Sequence, residues 1–352
     1  MTLKNVLSAI HKADTGAMER AQKRLNGMAK PLGSLGVLEE DLVRLAGAQG
    51  TDNVDLSRRC VAVFCADNGV VAQGVTQCGQ EVTAIVTENL SRGDTTVCIM
   101  ARQARCEVLP VDVGVMRPVV GERILQRCVR RGTADMTVEP AMTREECEQA
   151  ILVGVEVARL CKEKGINLLA MGEMGIGNTT TSSAVACALL DAPVPEMTGR
   201  GAGLSSEGLE RKIHAIETAL ALHTPDTADP VDVLHKVGGL DIAAMAGLCL
   251  GGAYYHLPVV LDGFISCVAA LCAIRLCPDC RDYLLASHVS AEPAGARVIR
   301  ALGLNPLICA GMRLGEGTGA VAAMPLLDMM LAAYNNMVGF DDIGIDAYEE
   351  LK

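Results

Sequence analysis

Four acidic residues stand where they could act on a substrate. Glu316 lies between two glycines in "RLGEGTGA", and no helical periodicity places it on a solvated face. Glu173, Asp241 and Asp262 lie at predicted strand ends or turns, where an acid usually caps a helix or pairs with a cation. Together with two candidate anion-binding loops, these acids suit a reaction that develops positive charge on a substrate carrying phosphate.

The first candidate phosphate loop is "GEMGIGNTTT" (172–181), which follows a predicted strand and opens a predicted helix. Gly175 and Gly177 would let backbone amides approach a ligand closely. Asn178 and Thr179 add side-chain donors at the helix N-terminus, where anions bind. An ordinary strand-to-helix turn with a good cap explains the same residues equally well.

The second candidate loop is "GRGAGLSSEGLERK" (199–212), in which glycines alternate with other residues and include Gly201 and Gly203. Lys212 follows on the early turns of a predicted helix, from which its ammonium could reach back to a phosphate. A lysine in such a place is more often simply solvated, so this loop is weak evidence alone.

Motifs of several other enzyme classes are missing. The sequence has no G-x-x-x-x-G-K-[ST] and no G-x-G-x-x-G, although "GEGTGA" and "GRGAGL" imitate the second. It has no G-x-S-x-G elbow, and nothing marks a nucleophile around His288, Ser287 and Ser290. Cys277 and Cys280 lack the further ligands that a structural zinc ion needs. We therefore predict no metal and no cofactor.

The composition limits the classes of partner. The net charge is −11, and an acidic chain repels nucleic-acid backbones and anionic membranes at long range. Aromatic residues make up 2% of the chain, which disfavours base-stacking platforms. The apolar stretch 240–276 is interrupted by Asp241, His256 and Asp262, so it lacks the ~20 clean residues of a transmembrane helix. We predict no nucleic-acid and no membrane partner.

The chain has 15 cysteines and no clear secretory signal. Many of them lie in apolar runs, such as Cys60 and Cys65 in "RCVAVFCAD". We interpret them as small core side chains in a reducing environment, which predicts a cytoplasmic protein.

A predicted α/β fold would position the candidate residues. Helical patterns alternate with short buried apolar runs, which indicates a parallel, Rossmann-like sheet with helices on both faces. The runs that predict strands are 60–67, 107–115, 166–175, 257–264 and 283–290. A capping box predicts that one helix begins after Thr143. Ligands of such folds bind at the carboxyl ends of the strands, where the glycine-rich segments fall.

The domain organisation follows from length and pattern. With 352 residues, the chain is long for one hydrophobic core. Residues 1–50 and 318–352 look helical and carry no strand signal, so we predict that they form a small helical subdomain. Residues 51–317 would form the large catalytic α/β domain.

Seven ordered segments resemble one family, the nicotinate-nucleotide:dimethylbenzimidazole phosphoribosyltransferases, over about residues 20–335. Any one segment is unspecific, whereas seven in the same order are specific. The segments are "KPLGSLG" (30–36), "ADNGVVAQGV" (66–75), "GEMGIGNTT" (172–180), "KVGGLDIAAMAG" (236–247), "PVVLDGFIS" (258–266), "SHVSAE" (287–292) and "MRLGEGTGA" (312–320).

The resemblance implies transfer of phosphoribose from nicotinate mononucleotide to a benzimidazole nitrogen, and it implies a homodimer. Glu316 would be the general base, and Glu173 would lie beside the ribose and nicotinate. The residues implied at the phosphate end are Gly175, Ile176, Gly177, Asn178, Thr179, Gly201, Gly203 and Lys212. Those implied elsewhere in the site are Asp241, Asp262, Ser290 and, in the base pocket, Leu314.

The sequence departs from the family pattern on the side of the accepting base. Some members carry a Ser-Pro segment before "VTAI" and a glutamine just after it, whereas this chain has Cys78 and Val86 there. Asn68 in "ADNGV" also replaces the histidine of those members. The reaction is predicted to be the same, but Cys78 and Val86 offer fewer strong hydrogen bonds, so a permissive base pocket is expected.

Two other classes of protein are alternatives to the enzyme. A nucleotide-binding or sensing protein without turnover would use the same loops, but it has no need of an acid such as Glu316 in apolar surroundings. An NAD-dependent oxidoreductase is disfavoured because its dinucleotide fingerprint is missing.

Overall fold

The computed structural model describes residues 1–346 and 348. Its centre is one six-stranded parallel sheet with the strand order β3-β2-β1-β4-β5-β6. The strands are β1 (Arg59–Ala66), β2 (Cys106–Gly114), β3 (Leu125–Gln126), β4 (Leu168–Met174), β5 (Val259–Leu261) and β6 (Leu284–Ala286). The predicted parallel α/β sheet is confirmed, and five of these strands overlap the five predicted runs.

Fourteen α-helices accompany the sheet in the described residues. They are α1 (Leu3–Ala9), α2 (Thr15–Gly27), α3 (Val37–Gln49), α4 (Glu81–Arg92), α5 (Thr96–Gln103), α6 (Arg144–Glu163), α7 (Asn178–Leu190), α8 (Val194–Met197), α9 (Ser206–His223), α10 (Pro230–Val237), α11 (Leu240–Tyr254), α12 (Phe264–Leu276), α13 (Gly295–Leu302) and α14 (Thr318–Asn336). Short 3₁₀ helices span Gly69–Gln73, Pro278–Tyr283 and Asp341–Ile343.

Helices cover both faces of the sheet, because the strands are apolar on both sides. All eight residues of β1 are buried, and successive side chains enter different cores. Ala62 and Phe64 pack in the core that contains α6, α11 and α12. Val61 and Val63 pack in the core that contains α3, α5 and α14. The near-continuous apolar run of β1 is the direct result of this double burial.

Close approach between α6 and α11 fixes an element that carries a predicted site residue. A Cβ on Gly154 would lie 1.9 Å from the Ala244 carbonyl oxygen, and one on Gly247 would lie 1.8 Å from the Ile151 carbonyl oxygen. Only glycine permits this distance between the helices. The contact holds α11, whose first turn contains Asp241.

The helix start predicted at Thr143 is confirmed as a capping box. Thr143 Oγ1 accepts a hydrogen bond from Glu146 N at 3.1 Å, and Glu146 Oε2 accepts one from Thr143 N at 2.8 Å. Two backbone donors at the start of α6 are thereby satisfied.

Helices from the two ends of the chain pack together. α2 contacts α3, and α3 contacts α14. The Arg24 guanidinium of α2 also lies 4.2 Å from the centre of the Tyr334 ring of α14. However, α14 also packs on the sheet through Val321, and α1 contacts α11. The division into a subdomain of 1–50 and 318–352 and a domain of 51–317 stays a prediction, and residues 347 and 349–352 lie outside the described residues.

Within the described residues, none of the helices combines the length and the apolar character that crossing a membrane requires.

Candidate active site

A crevice at the carboxyl ends of β4 and β5 brings together most of the predicted site residues. The chain order of the sheet reverses between β1 and β4, and ligands of open α/β sheets bind at such a switch point. The predicted residues that line the crevice are Cys78, Glu173, Gly175, Ile176, Gly177, Asn178, Thr179, Gly201, Asp262, Ser290, Leu314 and Glu316.

Four predicted residues do not line it: Gly203, Lys212, Asp241 and Val86. Lys212 and Asp241 are buried directly behind the crevice wall. Gly203 belongs to the same left-handed turn as Gly201, with φ angles of 105° and 51°. Val86 is half-buried on α4, so of the two departures on the base side only Cys78 lies at the crevice.

Several crevice residues were not singled out in the sequence, among them Gln77, Arg200, Phe264, His288, Glu292 and Arg313. Arg200 directly precedes Gly201, and Arg313 directly precedes Leu314. Their position next to a predicted site residue could therefore have identified both arginines from the sequence. Both arginines are exposed and add positive charge at the rim. Phe264 begins α12 and carries no local signal of its own.

The turn that carries Glu316 has an unusual backbone. Gly315, Glu316 and Gly317 have φ angles of 89°, 61° and 93°, a region that is unfavourable for a residue with a Cβ. A Cβ on Gly172 of β4 would lie 2.3 Å from the Glu316 carbonyl oxygen, so the turn presses against the sheet. Such a conformation persists only where surrounding contacts impose it, and such outliers cluster at functional sites.

The carboxyl of Glu316 is oriented by the start of α5. Oε2 accepts a hydrogen bond from Val97 N at 3.3 Å, while Oε1 accepts none from the described residues. Burial raises the pKa of this carboxyl, the Val97 N–H lowers it, and the charge of Asp262 raises it, with a net upward shift. A carboxylate that is held in place and binds protons more readily than a free glutamate suits a general base.

Glu173 and Asp241 share one amide group. Asn178 Nδ2 donates a hydrogen bond to Glu173 Oε2 and, at 2.9 Å, another to Asp241 Oδ2. Burial raises the pKa of Glu173 to about 8 and that of Asp241 to about 7, and the Asn178 hydrogen bonds oppose both shifts. Neither acid forms a salt bridge with the described residues, so no paired cation offsets the effect of burial on the two pKa values.

A buried cation lies behind the crevice wall at Thr179. Lys212 is 1% exposed, and its Nζ donates a hydrogen bond to Thr179 Oγ1 at 2.7 Å. Burial lowers the pKa of Lys212 to about 8, and Glu292 opposes the shift. A Cβ on Gly201 would lie 2.9 Å from Thr179 Oγ1 and 3.5 Å from Lys212 Nζ. A side chain at this position would therefore crowd the hydrogen bond between Thr179 and Lys212.

The crevice thus combines two kinds of group. Thr179 and the glycine turns offer donors, with the Lys212 ammonium buried behind Thr179, whereas Glu173 and Glu316 offer carboxyls. Such a site can hold a phosphate and stabilise positive charge on the same substrate. Among the described residues, no group of three or more His, Cys, Asp and Glu side chains could hold a metal ion.

The fold and the crevice fit one class of protein, the enzymes that transfer a phosphoribosyl group. The chain matches the DBI_PRT phosphoribosyltransferase family over residues 10–345. Over the full length of both chains it is 46% identical to the nicotinate-nucleotide–dimethylbenzimidazole phosphoribosyltransferase of Ruminiclostridium cellulolyticum and 43% identical to that of Clostridium acetobutylicum. The chain belongs to the nicotinate-nucleotide–dimethylbenzimidazole phosphoribosyltransferase family.

A solved structure supports the same assignment. CobT from Thermus thermophilus has a TM-score of 0.89 and 44% sequence identity to this chain, covering 94% of this chain and 99% of that one. The family predicted from the seven sequence segments is therefore confirmed, as is the prediction that the chain is a phosphoribosyltransferase.

Proposed function

We propose that the protein transfers phosphoribose from nicotinate mononucleotide to 5,6-dimethylbenzimidazole or a related base in cobalamin biosynthesis. The products are nicotinate and α-ribazole 5′-phosphate. The observation that carries the proposal is one crevice lined by donors at Thr179, which the buried Lys212 supports, and by the carboxyls of Glu173 and Glu316. The names of the related enzymes support the choice of substrates.

The charges of the reaction explain why the acids are needed. Nicotinate in its mononucleotide is joined to ribose through a pyridinium nitrogen, so its ring nitrogen becomes neutral on leaving and needs no general acid. The ribose gains oxocarbenium character as this bond breaks. A negative charge on Glu173, beside the phosphate loop that begins at Gly175, stabilises that transition state.

The accepting base must lose a proton. One nitrogen of the benzimidazole attacks the anomeric carbon with its lone pair, and the other nitrogen then releases its proton. Glu316 accepts that proton on the oxygen that the Val97 N–H leaves free. The adjacent glycines have a second role besides the left-handed turn, since they let a planar base approach the carboxylate closely.

The direct test is to mix the protein with nicotinate mononucleotide and dimethylbenzimidazole and to separate the products by chromatography. Equimolar nicotinate and α-ribazole 5′-phosphate are expected. A nucleotide-binding protein without turnover, the alternative function, would bind the nucleotide in a calorimeter and release no nicotinate.

A homodimer and a cytoplasmic location are part of the proposal. Exposed apolar side chains on three helices support a self-association face: Ile85 on α4, Ile99 on α5 and Met329 on α14, at 47%, 51% and 60% exposure. The free state of all 15 cysteines supports a reducing compartment. Analytical ultracentrifugation tests the dimer.

Lys212→Ala should raise the Michaelis constant for nicotinate mononucleotide far more than that for dimethylbenzimidazole. The variant removes a buried ammonium next to Thr179, and charge-assisted hydrogen bonds contribute about 1.5–3 kcal/mol, or roughly 10–150-fold in affinity. Steady-state kinetics with each substrate varied in turn measure the effect.

The riboside of nicotinate serves as the control substrate, because it lacks the phosphate. Arg211→Ala is the matched control variant, since the neighbouring Arg211 is exposed and hydrogen-bonds to the Gly74 carbonyl oxygen instead. If Lys212→Ala weakens the riboside and the nucleotide equally, Lys212 does not hold the phosphate.

Benzimidazole and its methylated analogues should all be accepted. Cys78 and Leu314 line the base side of the crevice and offer shape rather than strong hydrogen bonds. A hydrophobic pocket discriminates one methylene by ~1–3 kcal/mol, so the specificity constants of bases that differ by one methyl group should lie within about 200-fold of each other. Competition assays with pairs of bases check this, and exclusive use of one base would contradict it.

A further inference from the structure

We infer that Asp262 is a positioning residue for Glu316: its carboxylate holds the backbone of the left-handed turn rather than binding substrate. The inference rests on the proposed function, because it concerns the group that accepts the proton from the base. Asp262 lies immediately after β5, is 3% exposed and borders the crevice. Nothing in its sequence context distinguishes it from an acid that contacts a ribose hydroxyl.

The hydrogen bonds of Asp262 carry the inference. Oδ2 accepts from Gly317 N at 3.1 Å, and Oδ1 accepts from Gly319 N at 2.6 Å and from Ala320 N at 3.3 Å. All three donors belong to the residues that directly follow Glu316 and open α14. Both carboxylate oxygens are therefore already engaged by backbone amides of one turn.

These hydrogen bonds hold a segment whose backbone conformation is unfavourable. Glu316 has φ 61°, a conformation that its Cβ disfavours, and the glycines on both sides are left-handed as well. The turn touches β4 at Gly172 and is bonded to the end of β5 through Asp262. Two neighbouring strands thus hold Glu316 in a conformation that a free loop would leave.

The charges around Asp262 fit this role. Burial raises the pKa of Asp262, whereas the nearby His288 and the three backbone N–H groups lower it. Asp262 in turn raises the pKa of Glu316. Removing the carboxylate would therefore release the turn and also change the proton affinity of Glu316, without removing a contact to the phosphate end of the crevice.

The test uses the full-length protein and the variant Asp262→Asn. Asparagine keeps one acceptor oxygen but sets an NH₂ group against a backbone N–H, so one side of the clamp is lost. We expect kcat with dimethylbenzimidazole to fall about 10²-fold, the effect of misplacing a reacting group by ~1 Å. The Michaelis constant and the calorimetric Kd for nicotinate mononucleotide should stay at their wild-type values.

Two further readouts separate positioning from a merely structural role. Asp262→Asn added to Glu316→Gln should cost little more than Glu316→Gln alone, because a residue that acts through Glu316 is not additive with its loss. An electron-poor benzimidazole that is already anionic at the assay pH needs no base, so the loss in Asp262→Asn should shrink with it.

Asp112→Asn is the matched control. Asp112 is also a fully buried acid near a strand end, and it accepts hydrogen bonds from Val115 N and Arg131 at 2.9 Å, but it lies outside the crevice. This variant should keep the wild-type kcat. If Asp262→Asn does not fold, Asp262→Glu keeps the charge, displaces both oxygens and is expected to show the same loss of kcat.

Each outcome decides between the inference and the proposed function. Full additivity with Glu316→Gln, a wild-type kcat in Asp262→Asn, or a rise confined to the Michaelis constant for the nucleotide would overturn the positioning role alone. A wild-type protein that releases no nicotinate would overturn the proposed function and the inference with it.

Discussion

Glu316→Gln should lower turnover with dimethylbenzimidazole at pH 7 by about 10²–10⁴-fold, the usual contribution of a positioned general base. Glutamine keeps the size of the side chain and an acceptor for the Val97 N–H, but it cannot take a proton. Binding of nicotinate mononucleotide should change little, because the proposed phosphate contacts are at Thr179 and Lys212 and not at Glu316. Steady-state kinetics and titration calorimetry measure the two quantities.

The pH profile gives the internal control for Glu316. Burial raises the pKa of this carboxyl, so its basic form, and with it wild-type kcat, should increase with pH and then level off. For acceptors that ionise in solution, the deficit of Glu316→Gln should shrink at high pH, since a preformed anion needs no base. Near wild-type turnover of Glu316→Gln with dimethylbenzimidazole at neutral pH would falsify the assignment.

The sheet could be predicted because its strands carry their own signal. β1 is buried on both faces and therefore reads as a continuous apolar run. β3 could not be predicted, because only two residues pair, Leu125 with Val111 and Gln126 with Asp112. That pairing depends on the edge of β2 already being in place, which is tertiary information.

The candidate site could likewise be predicted only in part from the sequence. Residue types and glycine spacing pointed to Glu316 and to the loop at Gly175, and the family resemblance supplied their roles. The contacts between them were beyond the sequence: Asn178 bonds both to Glu173 and to Asp241, and Asp241 lies 63 positions further along the chain than Asn178. A local sequence pattern cannot show that the Asn178 amide donates hydrogen bonds to two acids, because the second acid, Asp241, lies on a different helix, α11.

Roles within the site were likewise hidden from sequence. An acid after a strand can contact substrate, cap a helix or form a salt bridge, and the pattern "VVLDGF" is the same in each case. The structure shows both oxygens of Asp262 bonded to the turn after Glu316. Exposed Arg200 and buried His288 line the crevice only because β6 and the α8–α9 connection fold toward it.

Glu173→Gln should lower turnover by about 10²–10³-fold at pH 8, the effect of removing one preorganised electrostatic group from a transition state. Burial raises the pKa of Glu173 to about 8, so its charged form appears as the pH rises through that value. Glutamine imitates the neutral acid at every pH, keeps an acceptor for Asn178 and supplies no charge to the ribose. Steady-state kinetics across pH 6–10 measure the loss.

Two buried groups of opposite charge should shape the wild-type profile. At saturating dimethylbenzimidazole, kcat/KM for nicotinate mononucleotide should rise as Glu173 ionises and fall as Lys212, whose pKa burial lowers to about 8, loses its proton. The result is a bell with its maximum near pH 8. Glu173→Gln should lose the part of the acidic limb that lies near pH 8, and Lys212→Ala should lose the alkaline limb. Accepting bases that are already anionic should not restore the turnover of Glu173→Gln, because the charge that this variant lacks acts on the ribose. If they restore it as fully as they do for Glu316→Gln, Glu173 acts on the accepting base instead.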